Sequence, residues 1–102
     1  ERNAPGTHSF CDAILTPAPG DITFAIGNRL LEGGFVVTDE QVAEAMRAAF
    51  LYLKIVAEPG GAAALAAALF ALPDVLKGKT VGVIVSGGNV DAADYAKVLA
   101  GA

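Results

Sequence analysis

Apolar residues fall into distinct periods along the chain, and each period predicts an element. Ile22, Ala25, Ile26 and Leu30 recur at helical spacing, with Asp21 placed as an N-cap and Gly33-Gly34 as a stop. Phe35-Val36-Val37 reads as a short extended link. Thr38 and Gln41 then form a capping box: the hydroxyl takes the Gln41 amide and the Gln41 side chain returns to the Thr38 amide. In the helix that follows, Val42, Met46, Ala49 and Leu53 make the buried stripe. Glu40, Glu44 and Arg47 lie on the wet side, with Glu44 and Arg47 one turn apart, and the helix is expected to run to about Val56.

Glu58-Pro59 opens a third helix, because proline suits the first helical turn. No residue from 60 to 72 is charged, so this helix is expected to be buried on all sides until Pro73 ends it. Lys77-Gly78-Lys79 turns the chain into the run Thr80-Val81-Gly82-Val83-Ile84-Val85, predicted as a strand. With almost nothing polar on either face, it reads as an interior parallel strand covered by helices on both sides. Asp91 caps a last helix, with Val90 and Tyr95 spaced as a hydrophobic staple. Ahead of all this, residues 1 to 20 hold Pro5, Pro17, Pro19, Gly6 and Gly20. They read as an irregular lead-in with turns at Pro5-Gly6 and Pro19-Gly20 and a short apolar piece over residues 10 to 15.

The strand empties into Ser86-Gly87-Gly88-Asn89-Val90-Asp91. In open α/β sheets ligands bind at the carboxyl ends of strands, where small residues let backbone and hydroxyls approach closely, so this loop is the candidate site. The loop also admits a plainer reading, with Ser86 capping the turn and Gly87, Gly88 and Asn89 supplying positive φ. Glu58 has two readings as well, since a carboxylate at a helix N-terminus is stabilised by the helix dipole without any further role. A phosphate cradle of the Walker kind would need a lysine after the glycines, and none follows.

Taken together, SGGNVD after such a strand and Glu58-Pro59-Gly60-Gly61-Ala62 opening an Ala-rich helix resemble the last third of the fold-type II pyridoxal-phosphate dehydratases. These are the threonine/serine ammonia-lyases and serine racemases. Cys11-Asp12-Ala13-Ile14-Leu15 with Pro17 to Gly20, and Val36-Val37-Thr38-Asp39-Glu40-Gln41 leading to Ala45-Met46-Arg47, are similar to further elements of that family in the same order. The resemblance implies an α/β fold of the tryptophan synthase β type, with helices packed on a mostly parallel sheet that is incomplete in this chain alone. On that reading residues 1 to 102 are the C-terminal part of the catalytic domain: the lead-in of residues 1 to 20, then helices, the strand over 80 to 85 and the SGGN loop.

The same resemblance implies pyridoxal 5′-phosphate as cofactor, with Ser86 meeting its pyridine nitrogen, Gly87, Gly88 and Asn89 shaping the loop around that edge, and Glu58 close to the pocket. Gly60 and Gly61 are expected to give close packing beside the ring. Where relatives have Asp-Gly, this chain has Asp12-Ala13, a departure at that point. A serine hydroxyl at the pyridine nitrogen, where many cofactor enzymes place a carboxylate, suits elimination of a β-hydroxyl. The implied activity is deamination of L-threonine or L-serine to a 2-oxo acid and ammonia. The alternatives are a serine racemase-type enzyme and a non-catalytic α/β binding or interaction module. The family's Schiff-base lysine, Ser-Gly-Asn-His loop and phosphate-binding glycines have no counterpart here. The chain is therefore expected to be a fragment, catalytically inactive alone, whose partners are an amino-acid substrate, the remainder of the catalytic domain and, in the intact enzyme, further copies of itself. The parent is expected to be the short form, without an isoleucine-sensitive regulatory domain.

Composition narrows the picture further. Apolar residues make up 54% of 102, above the roughly 45–50% of ordinary soluble domains. A domain this small buries only about 60% of its unfolded surface, so apolar side chains are expected to stay exposed unless neighbours cover them. The net charge of −4 is not clustered into a run, which argues against nucleic acid and anionic membrane as partners. The longest apolar stretch, residues 62 to 72, is too short to span a bilayer. A single cysteine, Cys11, makes no internal disulfide, and a reducing cytoplasmic setting fits it. His8 and Cys11 are too few for a zinc site. Lys54, Lys77, Lys79 and Lys97 all fall in polar settings, unlike a Schiff-base lysine, which is desolvated beside its cofactor.

Overall fold

In a computed structural model, described over residues 8 to 101, the chain is a flattened helical body of 39 × 37 × 19 Å. Its radius of gyration, 14.5 Å, exceeds the roughly 13 Å of a compact 100-residue domain. The helices are α1 (Asp21–Leu30), α2 (Asp39–Ala48), α3 (Pro59–Phe70) and α4 (Ala92–Ala100), with 3₁₀ turns at Asp12–Ile14 and Asp74–Leu76.

The centre is α2, against which α3 and α4 pack. Its start is fixed by the expected capping box, with the Gln41 amide donating to Thr38 Oγ1 at 3.2 Å and the Thr38 amide donating to Gln41 Oε1 at 2.9 Å. Val42 and Met46 are the largest fully buried side chains, joined in the core by Ala45, Ala57, Ala62, Ala66, Tyr95 and Val98. On the opposite face Arg47 donates to Glu44 through Nη2 (2.6 Å) and through Nη1 to the Val98 carbonyl (2.8 Å), which ties α2 to the end of α4.

Beyond Ala48 the helix widens into a π turn (Ala49–Leu53) and stops at Lys54, which adopts the left-handed conformation at φ 60°, ψ 35°. This ends it short of the expected Val56. Because a π turn adds a residue per turn, the buried stripe rotates away, and Leu53 is 55% exposed instead of buried.

Helix α1 covers the expected residues, but its N-cap is Gly20, and Asp21 is already helical; Leu31 turns extended before the glycines are reached. A turn is absent at Pro19-Gly20 because Gly20 is spent as the cap, while the bend falls at Pro17-Ala18. Pro5-Gly6 lies outside the described residues. No residue of α1 is buried, and α1 packs on no other described element, leaving Ile22 and Leu30 open.

Helix α3 begins at Pro59 as expected and ends at Phe70, before Pro73. It is buried on one side only, through Gly61, Ala62 and Ala66, whereas Leu69 and Phe70 are exposed, correcting the expectation of burial all round. Gly78, at φ 76°, makes the turn before residue 80. From 80 to 85, where a strand was expected, no β-ladder forms among the described residues. The parallel sheet is thus not seen here, for a physical reason. A parallel strand pairs only with neighbours reached by long crossovers, and no second strand lies among these residues. Instead, residues 81 to 84 run beside Ala64, Ala67 and Ala68 of α3 across a groove of about 340 Å³. Helix α4 is capped by Asp91, which accepts from the Ala93 and Asp94 amides, and both staple residues, Val90 and Tyr95, join the core.

Candidate functional site

The residue just ahead of α3 and the glycine loop meet. Glu58, the N-cap of α3, donates its amide to the Gly87 carbonyl at 3.0 Å. Its carboxylate makes no capping bond to α3 and lies against the Cα of Gly87, where any side chain at 87 would overlap Glu58 Oε1. Gly61, one turn into α3, is buried with the Gly87 backbone where its own Cβ would stand, 2.9 Å from the Gly87 nitrogen. A Cβ at Gly88 would meet the Val56 carbonyl at 2.5 Å. Three glycines therefore let two backbones touch. Neither Gly87 nor Gly88 has positive φ, so the loop uses glycine for room and not for turn geometry, which corrects that alternative. Gly60 faces Ile14 and Ala13, closing the 3₁₀ turn onto α3.

Ser86, next to Gly87 in the loop, is exposed, and no described residue hydrogen-bonds its hydroxyl, so the turn-capping alternative finds no partner. Asn89 is exposed and, with Glu58, lines a cleft of about 480 Å³. The volume lies in the range of small-molecule sites. Ser86, Gly87 and Gly88, which precede Asn89 in the loop, are not in its wall.

The rest of the wall comes from Phe10, Asp12, Met46, Pro59, Val90, Asp91, Asp94, Lys97 and Val98. By sequence Met46 belongs to a buried stripe, Asp91 to a cap, Lys97 to a solvated setting and Phe10 to a short apolar piece, and none of them is a site candidate. The available signal was the spacing of Asp91, Asp94 and Lys97, which puts the three side chains on one face of α4.

Four carboxylates and one ammonium make this cleft acidic. Most are already engaged: Asp12 Oδ1 accepts the Ala13 amide (2.8 Å), Asp91 caps α4, and Asp94 accepts from Lys97 Nζ at 2.6 Å. That bond and the charge of Asp94 hold the Lys97 ammonium protonated above its ordinary range. A charged, exposed amine is the wrong state for a Schiff base, and Lys54, Lys77 and Lys79 are likewise exposed. The Glu58 carboxylate accepts no hydrogen bond from the described residues and is the cleft's uncommitted acid. Cys11 is buried, its thiol pushed up by desolvation. His8 is exposed, and no cluster of three metal-binding side chains occurs among the described residues.

A family model described as pyridoxal-phosphate dependent enzyme matches residues 1 to 87. The chain belongs to this family. Membership carries the fold-type II α/β class, although the sheet is not formed among the described residues. A serine racemase of Dictyostelium discoideum is 36% identical over 97% of the chain, and an L-threonine ammonia-lyase of Thermotoga maritima is 36% identical over 84%. An L-threo-3-hydroxyaspartate ammonia-lyase of a Pseudomonas species is 38% identical over 91%. The chain spans only 31%, 21% and 29% of those proteins' lengths.

The residues present suit one edge of the family's cofactor. A neutral hydroxyl without a partner among the described residues, Ser86, can hydrogen-bond a pyridine nitrogen. The acidic cleft does not suit a phosphate dianion, which like charges would repel.

Proposed function

We propose that this chain forms one wall of the active site of a pyridoxal-phosphate-dependent ammonia-lyase that converts L-threonine or L-serine to a 2-oxo acid and ammonia. The observation that carries this reading is the junction of Glu58 with the Ser86-Gly87-Gly88-Asn89 loop beside an acidic cleft. The ammonia-lyases among the relatives supply the reaction class.

When bound, the cofactor draws electrons from the α-carbon of an amino acid, so that the α-proton and then the β-hydroxyl can leave. The chain's own part is binding and orientation. Ser86 offers the ring nitrogen a hydroxyl in place of a carboxylate, so the nitrogen is not held protonated. Gly87 and Gly88 keep the loop low against Glu58 and Val56, leaving Ser86 and Asn89 at the surface facing the ligand. Glu58 and the other carboxylates favour the cationic amino group of an incoming amino acid and leave the phosphate to the portion of the enzyme outside this chain.

Four exposed lysines support the view that the chain alone is inactive. Borohydride trapping with pyridoxal phosphate is expected to give weak, scattered labelling; one stoichiometrically modified lysine with threonine turnover would sink that view. For the full-length protein, the test is 2-oxo acid release from L-threonine and L-serine. The identity to serine racemases supports a second reading, for which the expected product is D-serine from L-serine without 2-oxo acid. A reducing, cytoplasmic setting fits the free Cys11. No helix among the described residues is long and apolar enough to cross a membrane.

A further inference from the structure

The segment that carries Phe10 and Asp12 to the cleft has no regular structure before its 3₁₀ turn, yet it is held from one point. Asp39, in the first turn of α2, accepts the Ser9 hydroxyl on Oδ1 at 2.5 Å and the Phe10 amide on Oδ2 at 3.1 Å. Ser9 Oγ in turn accepts the Cys11 amide at 3.0 Å. One carboxylate thus fixes three consecutive residues across 30 positions of sequence, with each bond partly buried. Phe10, one of the three, and Asp12, immediately after them, line the cleft, and Ile14 closes on Gly60, at the head of the helix that Glu58 caps. Nothing else in the described residues hydrogen-bonds Ser9, Phe10 or Cys11 to the helical body.

We propose that Asp39, acting through Ser9 and the Phe10 amide, is a positioning residue that holds the Phe10–Asp12 wall in place against bound amino acid. The inference rests on the proposed ligand role of the cleft. Asp39 touches no ligand itself; a carboxylate is suited to the task because charge-assisted bonds are shorter and stronger than neutral ones. Displacing the wall widens the site without removing any group that reacts, so the loss falls on binding.

The test uses the full-length protein carrying bound pyridoxal phosphate. Amino-acid binding is followed by the change in the cofactor's absorbance on adding L-threonine, and amide exchange is followed over residues 9 to 12. Asp39→Ala is expected to weaken L-threonine binding and raise KM by roughly tenfold, the scale of one charged hydrogen bond, with kcat within about twofold. Exchange at residues 10 and 11 should quicken. Ser9→Ala, which keeps the Phe10 bond, should give a smaller change of the same kind and serves if Asp39→Ala folds poorly. Thr38→Ala removes the neighbouring cap and spares the clasp, so it should lower the melting temperature and leave KM unchanged. An Asp39→Ala protein with unchanged KM but lower kcat or melting temperature would reduce the clasp to a structural brace. If the unsubstituted protein responds to no hydroxy amino acid, the substrate reading fails; the clasp is then judged by exchange alone, and unchanged exchange in Asp39→Ala overturns it.

Discussion

The Glu58 amide and the Gly87 carbonyl, 29 residues apart, share a 3.0 Å hydrogen bond that joins the start of α3 to the glycine loop. The contact is possible only because Gly61, one turn further on, leaves its side-chain position to the Gly87 backbone. Helix start and loop therefore move together, and the position of Ser86 depends on both.

Gly61→Ala is accordingly expected to be disruptive. Its methyl group would overlap the Gly87 carbonyl, and backbone cannot yield as a flexible side chain can. Overpacking of this kind costs about 1–3 kcal/mol. Gly33→Ala is the control: nothing lies within 4 Å of the added carbon and φ is not positive, so stability should hold or rise by about 0.5 kcal/mol. Unfolding free energies of the two variants, from denaturant titration, should move in opposite directions or differ by more than about 1 kcal/mol. Equal free energies would mean that the loop does not pack on α3.

Ser86→Ala should weaken cofactor binding by about tenfold or more without unfolding the protein. It removes one hydrogen bond to a buried group, worth about 1–3 kcal/mol, from a side chain that is exposed in this chain. Ser86→Asp should impair 2-oxo acid formation further, because a carboxylate keeps the ring nitrogen protonated and stores charge that elimination needs to expel. Wild-type cofactor affinity and turnover in both variants would leave Ser86 as a loop residue only.

The parts of this molecule legible in sequence are those governed by short-range chemistry. Thr38 with Gln41 and Asp91 satisfy helix amides within three residues of themselves, Pro59 behind Glu58 brings a helical φ and no amide that needs a partner, and all three helix starts fall where those residues place them. Expectations that depended on distant surroundings fared less well. Burial around α3 and pairing over residues 80 to 85 require neighbours that the described residues do not include. The exposure of Leu53 follows from a π turn that no local residue announces.

The site divides the same way. Glu58 and the SGGN loop stand out as motifs, and the fold brings them together. Asn89 reaches the cleft, while Ser86 is exposed and outside its wall. Phe10, Asp12 and Lys97 come to the same space from opposite ends of the chain, which no spacing rule can show. The Asp39 clasp was equally hidden, since an aspartate in the first helical turn already has a local explanation in the helix dipole.

Alkaline pH should loosen the core. Burial raises the Cys11 thiol above its ordinary 9.0 and the Tyr95 phenol above its ordinary 10.0, and the Tyr95 hydroxyl is buried without a partner among the described residues. Both groups are neutral when folded, so the stability linked to them is full below those ordinary values and lost as pH climbs through the raised ones. The melting temperature should fall as pH rises above 9.0, and Cys11→Ala should make that fall shallower. At neutral pH the same burial should make Cys11 slow toward iodoacetamide until the protein is unfolded. Rapid alkylation of the native protein would contradict this placement of the thiol.

Lys54→Gly should stabilise the protein. Lys54 ends the π turn at φ 60°, a left-handed conformation that costs an L-residue roughly 1–2 kcal/mol and glycine nothing steric. Against this stands the loss of the Lys54 Nζ bond to the Leu51 carbonyl, 2.8 Å but exposed, and the greater backbone entropy of glycine when unfolded. An exposed hydrogen bond competes with water and contributes little, and the entropy term removes about 0.5–1 kcal/mol, so the conformational gain should win by a few tenths to about 1 kcal/mol. Lys54→Ala separates the two terms: it deletes the ammonium while keeping the strained backbone, and should be neutral or slightly destabilising. If thermal unfolding ranks alanine above glycine at this position, the end of the π turn is not strained at residue 54.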